Sequence, residues 1–434
     1  PAATGAGDGA TDEPAATVPA RWQVDGASAV LYPGTASGKG RVWFDPEAGQ
    51  WVFTRGDTSV RVSGEGITHV RVAGGQASIS IDLSGLRSSL EVDVEGQDEV
   101  GVDGSGDLSL TGDDHQLLIR SLLALLRVVA PSYRFSVTAS GSTVTFSGRV
   151  ELATGADLSV VAESILADSA TIDTRGGDGA GDITLGAVAA GDTAHALLVL
   201  KDTEVFGGDV DLSASASGRS DAGAVVQVTG STIGATGSVA ISTRADLRAV
   251  LGDATAAAAL AATSVQGTSV SAGQQLAVTA ATTTDLSADA GTALVAGLTR
   301  VTSVAVSDAD LAAAGVRLAA TAGGTLSFAA GTDLAAGLSS TTSAGLSGTV
   351  HIAAGSATQV DASTTDRLRL AAAGDAVVHV VLTTTSGIDD GALVSVDSGL
   401  AVSASAGHQL EVTAGGLGVA VSSARTAAGV GEAA

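Results

Sequence analysis

A short phrase recurs along the chain from Gly181 onwards. Each copy begins at a turn with Gly or Asp and continues with two apolar residues that flank one residue of any kind, before small residues follow. The copies are GDITLGA from Gly181, GDVDLSA from Gly208, GSVAIST from Gly237, GQQLAVTA from Gly273, GVRLAATA from Gly315, DRLRLAAA from Asp366 and GHQLEVTA from Gly407. A phrase that returns every ~20–50 residues is the signature of a stacked repeat architecture.

The spacing of the copies favours strands over helices. Their first apolar positions are Ile183, Val210, Val239, Leu276, Val316, Leu368 and Leu410. The widest interval, from Val316 to Leu368, is almost twice the narrowest, from Ile183 to Val210. A helical repeat would not vary so much, whereas a β-solenoid coil needs only its core strands in register and lets its turns grow outward. We therefore predict an all-β parallel solenoid of roughly eight to ten coils, about 40–50 Å long.

The composition fits a rod with a narrow interior. Gly makes up 58 of the 434 residues and aromatic residues only 3%, yet hydrophobic residues still reach 45%. Such a core has to be thin and built from small side chains. The chain has no Cys, which excludes disulfides and thiolate sites, and no Met, which predicts a processed or excised chain.

The charge excludes several classes of partner. The formal net charge is −25, from 21 basic and 46 acidic residues. This balance disfavours nucleic acid, whose phosphates need basic patches, and docking to an anionic bilayer. No stretch reaches the roughly 18 apolar residues of a membrane-spanning helix. We expect no nucleic-acid partner and no membrane insertion, and an acidic surface that tolerates hard cations.

The start of the chain, residues 1–58, differs from the rest. Residues 1–20 form a Pro/Ala/Gly/Thr-rich arm, either flexible or docked on a neighbouring subunit. Residues 21–58 hold more than half of the aromatic residues, and the stretch RVWFDPEAGQWVF predicts a β-hairpin around a Pro/Gly turn. The hairpin is expected to cap one end of the solenoid. The alternative is a sugar-binding platform, with Trp22, Trp43 and Trp51 binding the partner.

The next segments are predicted to begin the solenoid and to interrupt it once. Residues 59–112 alternate in short strands such as SVRVSG and LEVDVEG, and residues 131–434 form the irregular coils. Between them, residues 113–130 predict one amphipathic helix, which Asp113 or Asp114 caps and Pro131 ends. Its apolar residues recur at helical spacing and are Leu117, Leu118, Leu122, Leu125, Leu126 and Val129.

Two further points concern helices. The apolar face of the predicted helix is expected to pack on the rod, or else on a partner through Leu118, Leu122 and Leu125. Ala254–Thr263 has high helical propensity because of its alanines, but its Thr/Ser/Gly neighbours and the surrounding strand rhythm predict strands or loops there.

Calcium is the one cofactor that the motifs point to. Asp103 and Asp107 flank Gly-Ser-Gly, and the stretch around Asp178 and Asp182 approaches the calcium nonapeptide GGxGxDxU, with its second Asp one residue late. Calcium takes six to eight oxygen ligands, which Asp/Gly turns supply. The alternative is that these four residues lie in solvated turns. No catalytic motif is present, and no other cofactor is expected.

The strand phrases resemble the large repetitive surface proteins of bacteria, of the filamentous-haemagglutinin type. ATIDTRGGDGAGDITLGA (Ala170–Ala187) and QLAVTAATTTDLSADAG (Gln275–Gly291) have that style, and the resemblance covers residues 59–434. It implies a right-handed parallel β-helix, secretion, and a role in adhesion or fibre formation. It supplies no catalytic residues. The helix and the aromatic start depart from the pattern, which leaves open what caps the rod.

Three functions are compatible with the sequence. The first is a non-enzymatic, extracellular or cell-surface structural or adhesive β-solenoid, a segment of a surface fibre that self-associates end to end and binds a cell-surface or glycan receptor. It predicts stacked coils and no buried charged cluster. The second is a carbohydrate-binding or carbohydrate-processing β-helix of tail-spike or pectate-lyase type, with two or three convergent carboxylates from adjacent coils. The third, a string of β-sandwich modules, predicts antiparallel pairing.

Overall fold

A computed structural model describes residues 19–34, 39–73, 78–82, 90–94, 99–103, 108–113, 116–120, 124–129, 134–152, 155–176, 179–251, 254–389, 393–397 and 399–430. Every regular element within these ranges is a β-strand. The first twelve are β1 (Arg21–Asp25), β2 (Ser28–Tyr32), β3 (Gly40–Asp45), β4 (Gln50–Arg55), β5 (Thr58–Ser63), β6 (His69–Val72), β7 (Ser78–Asp82), β8 (Leu90–Val94), β9 (Glu99–Asp103), β10 (Leu108–Asp113), β11 (Gln116–Arg120) and β12 (Ala124–Val129).

The central strands follow in chain order. They are β13 (Arg134–Glu151), β14 (Asp157–Asp168), β15 (Thr171–Asp173), β16 (Arg175–Gly176), β17 (Gly179–Ala180), β18 (Ile183–Ala190), β19 (Thr193–Lys201), β20 (Glu204–Gly207), β21 (Val210–Gly218), β22 (Asp221–Thr229), β23 (Thr232–Ala235), β24 (Val239–Leu251), β25 (Ala254–Gln266) and β26 (Ser269–Ala272). The last strands are β27 (Gln275–Ala290), β28 (Leu294–Ser307), β29 (Asp310–Ala313), β30 (Gly315–Ala330), β31 (Leu334–Ser347), β32 (Thr349–Ala354), β33 (Thr358–Ala372), β34 (Ala376–Ile388), β35 (Leu393–Val396), β36 (Leu400–Ala414) and β37 (Gly418–Val430).

Most strands pair in parallel with the strand one coil earlier. One column is unbroken from β3 to β36, through β7, β9, β13, β14, β18, β21, β24, β27, β30 and β33. At about 4.8 Å per parallel step the column is roughly 50 Å long. The fold is therefore a parallel β-solenoid, as predicted. Its column begins at β3, inside the segment predicted to be a cap, and not at residue 59.

The aromatic hairpin is confirmed. β3 and β4 pair antiparallel, with Phe44 opposite Trp51, and the two rings lie 5.3 Å apart between centroids. Asp45 organises the turn, because its carbonyl accepts the Gly49 N–H at 2.8 Å. Two further antiparallel pairs, β1–β2 and β4–β5, flank the hairpin. The antiparallel strands thus lie on the first coils of the solenoid.

The helix predicted over residues 113–130 is wrong, because the described residues of this segment belong to β10, β11 and β12. β11 pairs antiparallel with both β10 and β12, and β12 stacks in parallel on β8. Each apolar run is short and contains β-branched residues such as Ile119 and Val128, which favour strands. Pairing with β8 adds ladder hydrogen bonds that outweigh the helical spacing of the leucines. The alanine-rich segment Ala254–Thr263, for which strands or loops were predicted, lies within strand β25.

From β18 onwards each coil is a flattened arch. In the coil made by β27, β28 and β29, the first strand runs outward, a tight turn reverses the chain, the second strand runs back, and the short third strand closes the loop. Inward positions alternate along both long strands and are buried. The two strands meet across the core, where the Thr282 and Thr302 hydroxyls are 2.6 Å apart. This arch explains the small side chains of the core.

The arches lengthen along the chain. The paired long strands have 8 and 9 residues in β18 and β19, 13 and 13 in β24 and β25, and 16 and 14 in β27 and β28. Five of the predicted phrase positions do form one ladder, in the order Ile183, Val210, Val239, Leu276 and Val316.

The last two phrase positions lie on a second ladder. Leu368 stacks between Leu326 and Leu410, and Leu326 stacks on Leu286. The wide interval from Val316 to Leu368 therefore joins two different ladders. The true step between coils is shorter here and is constant, since Arg317 pairs with Gln359 and Thr358 pairs with Leu400.

One corner recurs at the end of the second long strand. The residue there adopts a left-handed backbone in successive coils, at Ser169, Asp202, Gly230, Gly267, Asp308 and Gly348. Left-handed φ values favour Gly and tolerate Asp. The next residue is a buried Thr or Ser in three coils, and Thr203 N–H donates to the Ser231 hydroxyl at 3.1 Å. These stacked corners fix where each coil turns.

Candidate functional site

The arches from β24 onwards present two broad surfaces. The charged face comprises the outward side chains of β24, β27, β30, β33 and β36, and the uncharged face comprises those of β25, β28, β31, β34 and β37. The charged face carries Arg244, Asp246, Arg248, Asp285, Asp289, Arg317, Asp361, Arg367, Arg369 and Glu411. Among the described outward residues of the uncharged face, only His379 and Arg425 are ionisable. The two faces therefore differ in the residues at the outward positions of alternate long strands.

A surface cavity of about 730 Å³ lies where the arches first lengthen. β24 pairs with β21 only from Val239 to Leu247, so the rest of β24 overhangs the narrower coil. The overhang brings Arg248 and the 86% exposed side chain of Val250 above Asp192 and Arg219 from the shorter arches. Asp192 and Arg219 form an exposed ion pair at 3.6 Å. The cavity therefore combines charges of both signs with an unpaired strand edge.

A second groove, of about 440 Å³, contains carboxylates from adjacent coils. Asp157 Oδ1 accepts the Asp182 N–H at 2.9 Å, and Asp182 Oδ1 accepts the Asp209 N–H at 2.8 Å. Arg134 lies 3.7 Å from the other oxygen of Asp157. Each of the two groove carboxylates thus uses one oxygen to hold the backbone of the next coil.

The calcium candidates are distributed as follows. Asp182 belongs to the stacked aspartates just described, and Asp103 is the last residue of β9, where its backbone pairs with Asp82 and Thr138. Asp107 and Asp178 lie outside the described residues. Among the described residues, no three His, Asp or Glu side chains are placed to hold a metal ion. Calcium binding by the four candidates stays a prediction.

The aromatic partner candidates are mostly internal. Trp51 is only 2% exposed and packs in the core. Trp22 and Trp43 are half-buried, and the Trp22 indole N–H donates to the Val60 carbonyl at 3.2 Å. Packing therefore accounts for Trp51, whereas Trp22 and Trp43 keep part of their surface open.

The leucine candidates do not form a helical face. The backbones of Leu118 and Leu125 lie in β11 and β12, where Leu118 pairs with Arg127 and Leu125 pairs with Arg120. Leu122 lies outside the described residues.

The core contains one buried ion pair, which corrects the expectation that a structural solenoid has no buried charged cluster. Arg300, on β28, points inward and is fully buried, and it forms a bidentate pair with Asp366 of β33 at 2.6 and 2.9 Å. Its remaining N–H groups donate to the hydroxyls of Ser340 and Thr284. All five guanidinium donors are satisfied.

The ion pair and its hydrogen bonds connect three successive coils. Thr284, Gly324 and Asp366 stack in one column. The middle position requires glycine, because a Cβ there would collide with the Thr284 carbonyl. The available signal was the period-2 pattern, because Leu298, Thr302 and Val304 all face inward and Arg300 shares their parity.

The chain matches no protein-family model, no curated protein and no solved structure. The parallel β-solenoid is established by the strand pairing alone. The described part of the chain contains no helix that is long and apolar enough to cross a membrane.

Proposed function

We propose that this chain is an extracellular structural and adhesive β-solenoid, a segment of a surface fibre that acts without catalysis. The observation that carries the proposal is the unbroken parallel column from β3 to β36. A column in which every coil pairs with its neighbours is stiff along its axis, and its length grows by about 4.8 Å per coil. Such a rod separates two ends and displays long lateral faces.

End-to-end association is part of this proposal, and it would use the edge formed by β36 and β37. The inward residues of β36 are half-buried, among them Leu400, Val402, Leu410 and Val412, while the described side chains of β37 are exposed. The outer edge of a parallel sheet presents unpaired N–H and C=O groups that template another strand. A further coil, or the end of another rod, would cover this edge.

Electron microscopy of the purified chain together with small-angle X-ray scattering tests the fibre. We expect fibres with a defined axial repeat, and particles whose maximum dimension grows with concentration. Variants Val402→Lys and Leu410→Lys on the half-buried edge should shorten the fibres, whereas Thr413→Lys, on the outward side of the same strand, should not. Discrete particles of constant length at every concentration would contradict end-to-end association.

The surface location and the adhesive role need separate measurements. We expect antibodies against the chain to label intact cells of the source organism, and beads coated with the chain to bind host-cell surfaces or immobilised glycans. Failure of the coated beads to bind any surface above beads coated with an unrelated acidic protein would remove the adhesive role.

One observation favours the second candidate function, carbohydrate binding. The groove that holds Asp157 and Asp182 brings together two carboxylates from adjacent coils and an Arg, and such groups hydrogen-bond sugar hydroxyls. We expect a glycan array to reveal this binding if it exists, and Asp182→Asn to weaken it at least tenfold. Asp289→Asn, on the charged face far along the chain, is the control. Binding that is unchanged in Asp182→Asn would place the glycan elsewhere.

A further inference from the structure

The uncharged face is unusual on so acidic a chain. The net charge is −25, yet the described outward residues of β25, β28, β31 and β34 are Ala, Gly, Ser, Thr, Val, Leu and Gln apart from His379. Those of β28, for example, are Val295, Gly297, Thr299, Val301, Ser303, Ala305 and Ser307. On the other side of the same coils, the charged face carries charges on every long strand.

Exposed apolar side chains concentrate on the same surface. Of the ten large apolar side chains that are exposed in the described part of the chain, five belong to the uncharged face, namely Leu260, Val295, Val377, Val419 and Val421. Three of them form one column along the rod, because Val295 stacks on Ala335, Ala335 on Val377, and Val377 on Val419. In this column, Val295, Val377 and Val419 are 58%, 55% and 40% exposed.

The surface is large enough for a stable contact. Strands of 13 or 14 residues at about 3.3 Å per residue span roughly 45 Å, and five strands at about 4.8 Å span roughly 20 Å. The face therefore covers about 900 Å², and a typical stable interface buries about 800 Å² per partner. Its small side chains leave a flat surface, and flat sheets pack face to face at about 10 Å.

We propose that the uncharged face is a lateral interface, through which two copies of this chain pack side by side. Charge selects a second copy as the occupant. Two molecules of net charge −25 repel each other, and this face is where they approach without juxtaposing like charges at short range. A two-fold axis would place the valine columns and the Ser/Thr rows of the copies against each other. Such pairing goes beyond end-to-end growth, since it thickens a fibre and does not lengthen it.

Analytical ultracentrifugation of the full chain carrying Leu410→Lys, the variant expected to shorten the fibres, tests the interface apart from end-to-end growth and serves as the parent below. We expect a monomer–dimer equilibrium at micromolar concentration that tightens when the salt rises from about 0.05 M to about 0.5 M, because salt screens the repulsion. Thr341→Glu, in the middle of the face, should raise the dissociation constant at least tenfold. Thr321→Glu, on the charged face of the same coil, should change it less than twofold. Both variants should keep the circular dichroism and melting temperature of the parent.

Two readouts separate this proposal from its rivals. Because the chain has no Cys, Thr341→Cys should give a dimer with a short bis-maleimide cross-linker and Thr321→Cys should not. Dimers should show a larger cross-section in small-angle scattering with unchanged maximum length, whereas end-to-end growth lengthens the particle. A chain that stays monomeric at about 100 μM in high salt, or a dimer that Thr341→Glu leaves intact, would overturn the lateral interface. Binding of that monomer to an insoluble polysaccharide would assign the face to a different partner.

Discussion

Arg300 is a buried charged side chain whose removal should be costly. It is fully buried, and its charge is balanced only by Asp366, two coils further along. A buried ion whose partner is removed typically costs about 3–5 kcal/mol, whereas replacing both ions with apolar residues is often neutral. The pair is therefore better understood as a lock on the register of three successive coils than as a source of stability.

The first prediction follows from this difference. Arg300→Met should lower the free energy of unfolding by about 3–5 kcal/mol, and the double variant Arg300→Met/Asp366→Leu should recover most of the loss. Urea denaturation measures both. The control is Arg369→Ala, which breaks an ion pair of 3.6 Å between residues that are both more than half exposed and should cost less than about 1 kcal/mol. Equal losses in Arg300→Met and Arg369→Ala would contradict the lock.

A second ion pair makes stability depend on pH. Arg175 donates two side-chain hydrogen bonds to Asp173, at 2.7 and 2.9 Å, and lies 4.0 Å over the Phe206 ring. Burial raises the pKa of the Asp173 carboxyl, but the side-chain and backbone hydrogen bonds and the charge of Arg175 outweigh it, so that the net pKa is lowered. A lowered pKa means that the folded state holds the proton less tightly than the unfolded state.

The lowered pKa of Asp173 gives the second prediction. The contribution of Asp173 is fully present above the unfolded pKa of about 3.9 and is lost as the pH falls through the lower folded pKa. Asp173→Asn should therefore melt at a lower temperature than the parent at pH 7, and the difference should shrink below about pH 4. Asp289→Asn is the control for the loss of an exposed carboxylate. A difference in melting temperature that is constant from pH 7 to pH 2 would disprove the linkage.

At the scale of elements, the left-handed corners determine where each coil turns. Gly267 occupies one of them with φ = 57°, and Ser169 occupies another with φ = 54°. A β-branched residue in this conformation costs about 1–2 kcal/mol or more, because its Cβ crowds the following carbonyl. A glycine at such a corner is unstrained.

The third prediction compares corner and strand. Gly267→Val should destabilise the chain by about 2 kcal/mol, while Ser169→Gly should cost little. Gly297→Val is the matched control, since Gly297 lies in an extended strand and a Cβ there meets nothing within 4 Å. Thermal melts of the three variants give the ranking. A tolerated Gly267→Val would show that the corner relaxes.

The elements also show why the sequence predicts where strands lie better than which strands pair with each other. Alternation predicted the strand identity of most segments, including the alanine-rich β25. It failed at β11 and β12, where the leucines have helical spacing and pairing with β10 and β8 favours strands. The left-handed corners recur once per coil, but they could not be predicted because Ser, Asp and Gly alternate at that position.

At the scale of the whole molecule, local phrases identify a strand but not its ladder. Every long strand has several inward apolar positions, so the phrase around Leu368 resembles the phrase around Val316 although the two residues lie on different ladders. Only the register, with Leu326 stacked on Leu368, separates the ladders. The ion pair of Arg300 with Asp366 and the uncharged face depend on that register too, which is why neither could be predicted from the sequence.

The register makes a coil a removable unit. Val210 stacks on Val239, Asp221 on Ala258, and Thr232 on Ser269. Deletion of the segment 210–238 therefore joins Asp209 to Val239, and it brings β24 onto β18, β25 onto β19 and β26 onto β20. Inward residues stay inward, and the buried ion pair lies outside the deletion.

The fourth prediction is that this deletion variant folds. It should keep its β-sheet circular dichroism and a cooperative melt, with a rod shorter by about 4.8 Å, because stability in a solenoid is the sum of coils and the contacts between neighbouring coils. Deletion of the segment 196–224, which is equally long, is the control. Ala196 pairs with Ala224, so this deletion puts Val225 where Ala224 would align, slips the strand by one residue and exchanges its inward and outward side chains, and the melt should broaden or vanish. If both deletions melted alike, coil stacking would not be what holds the chain together.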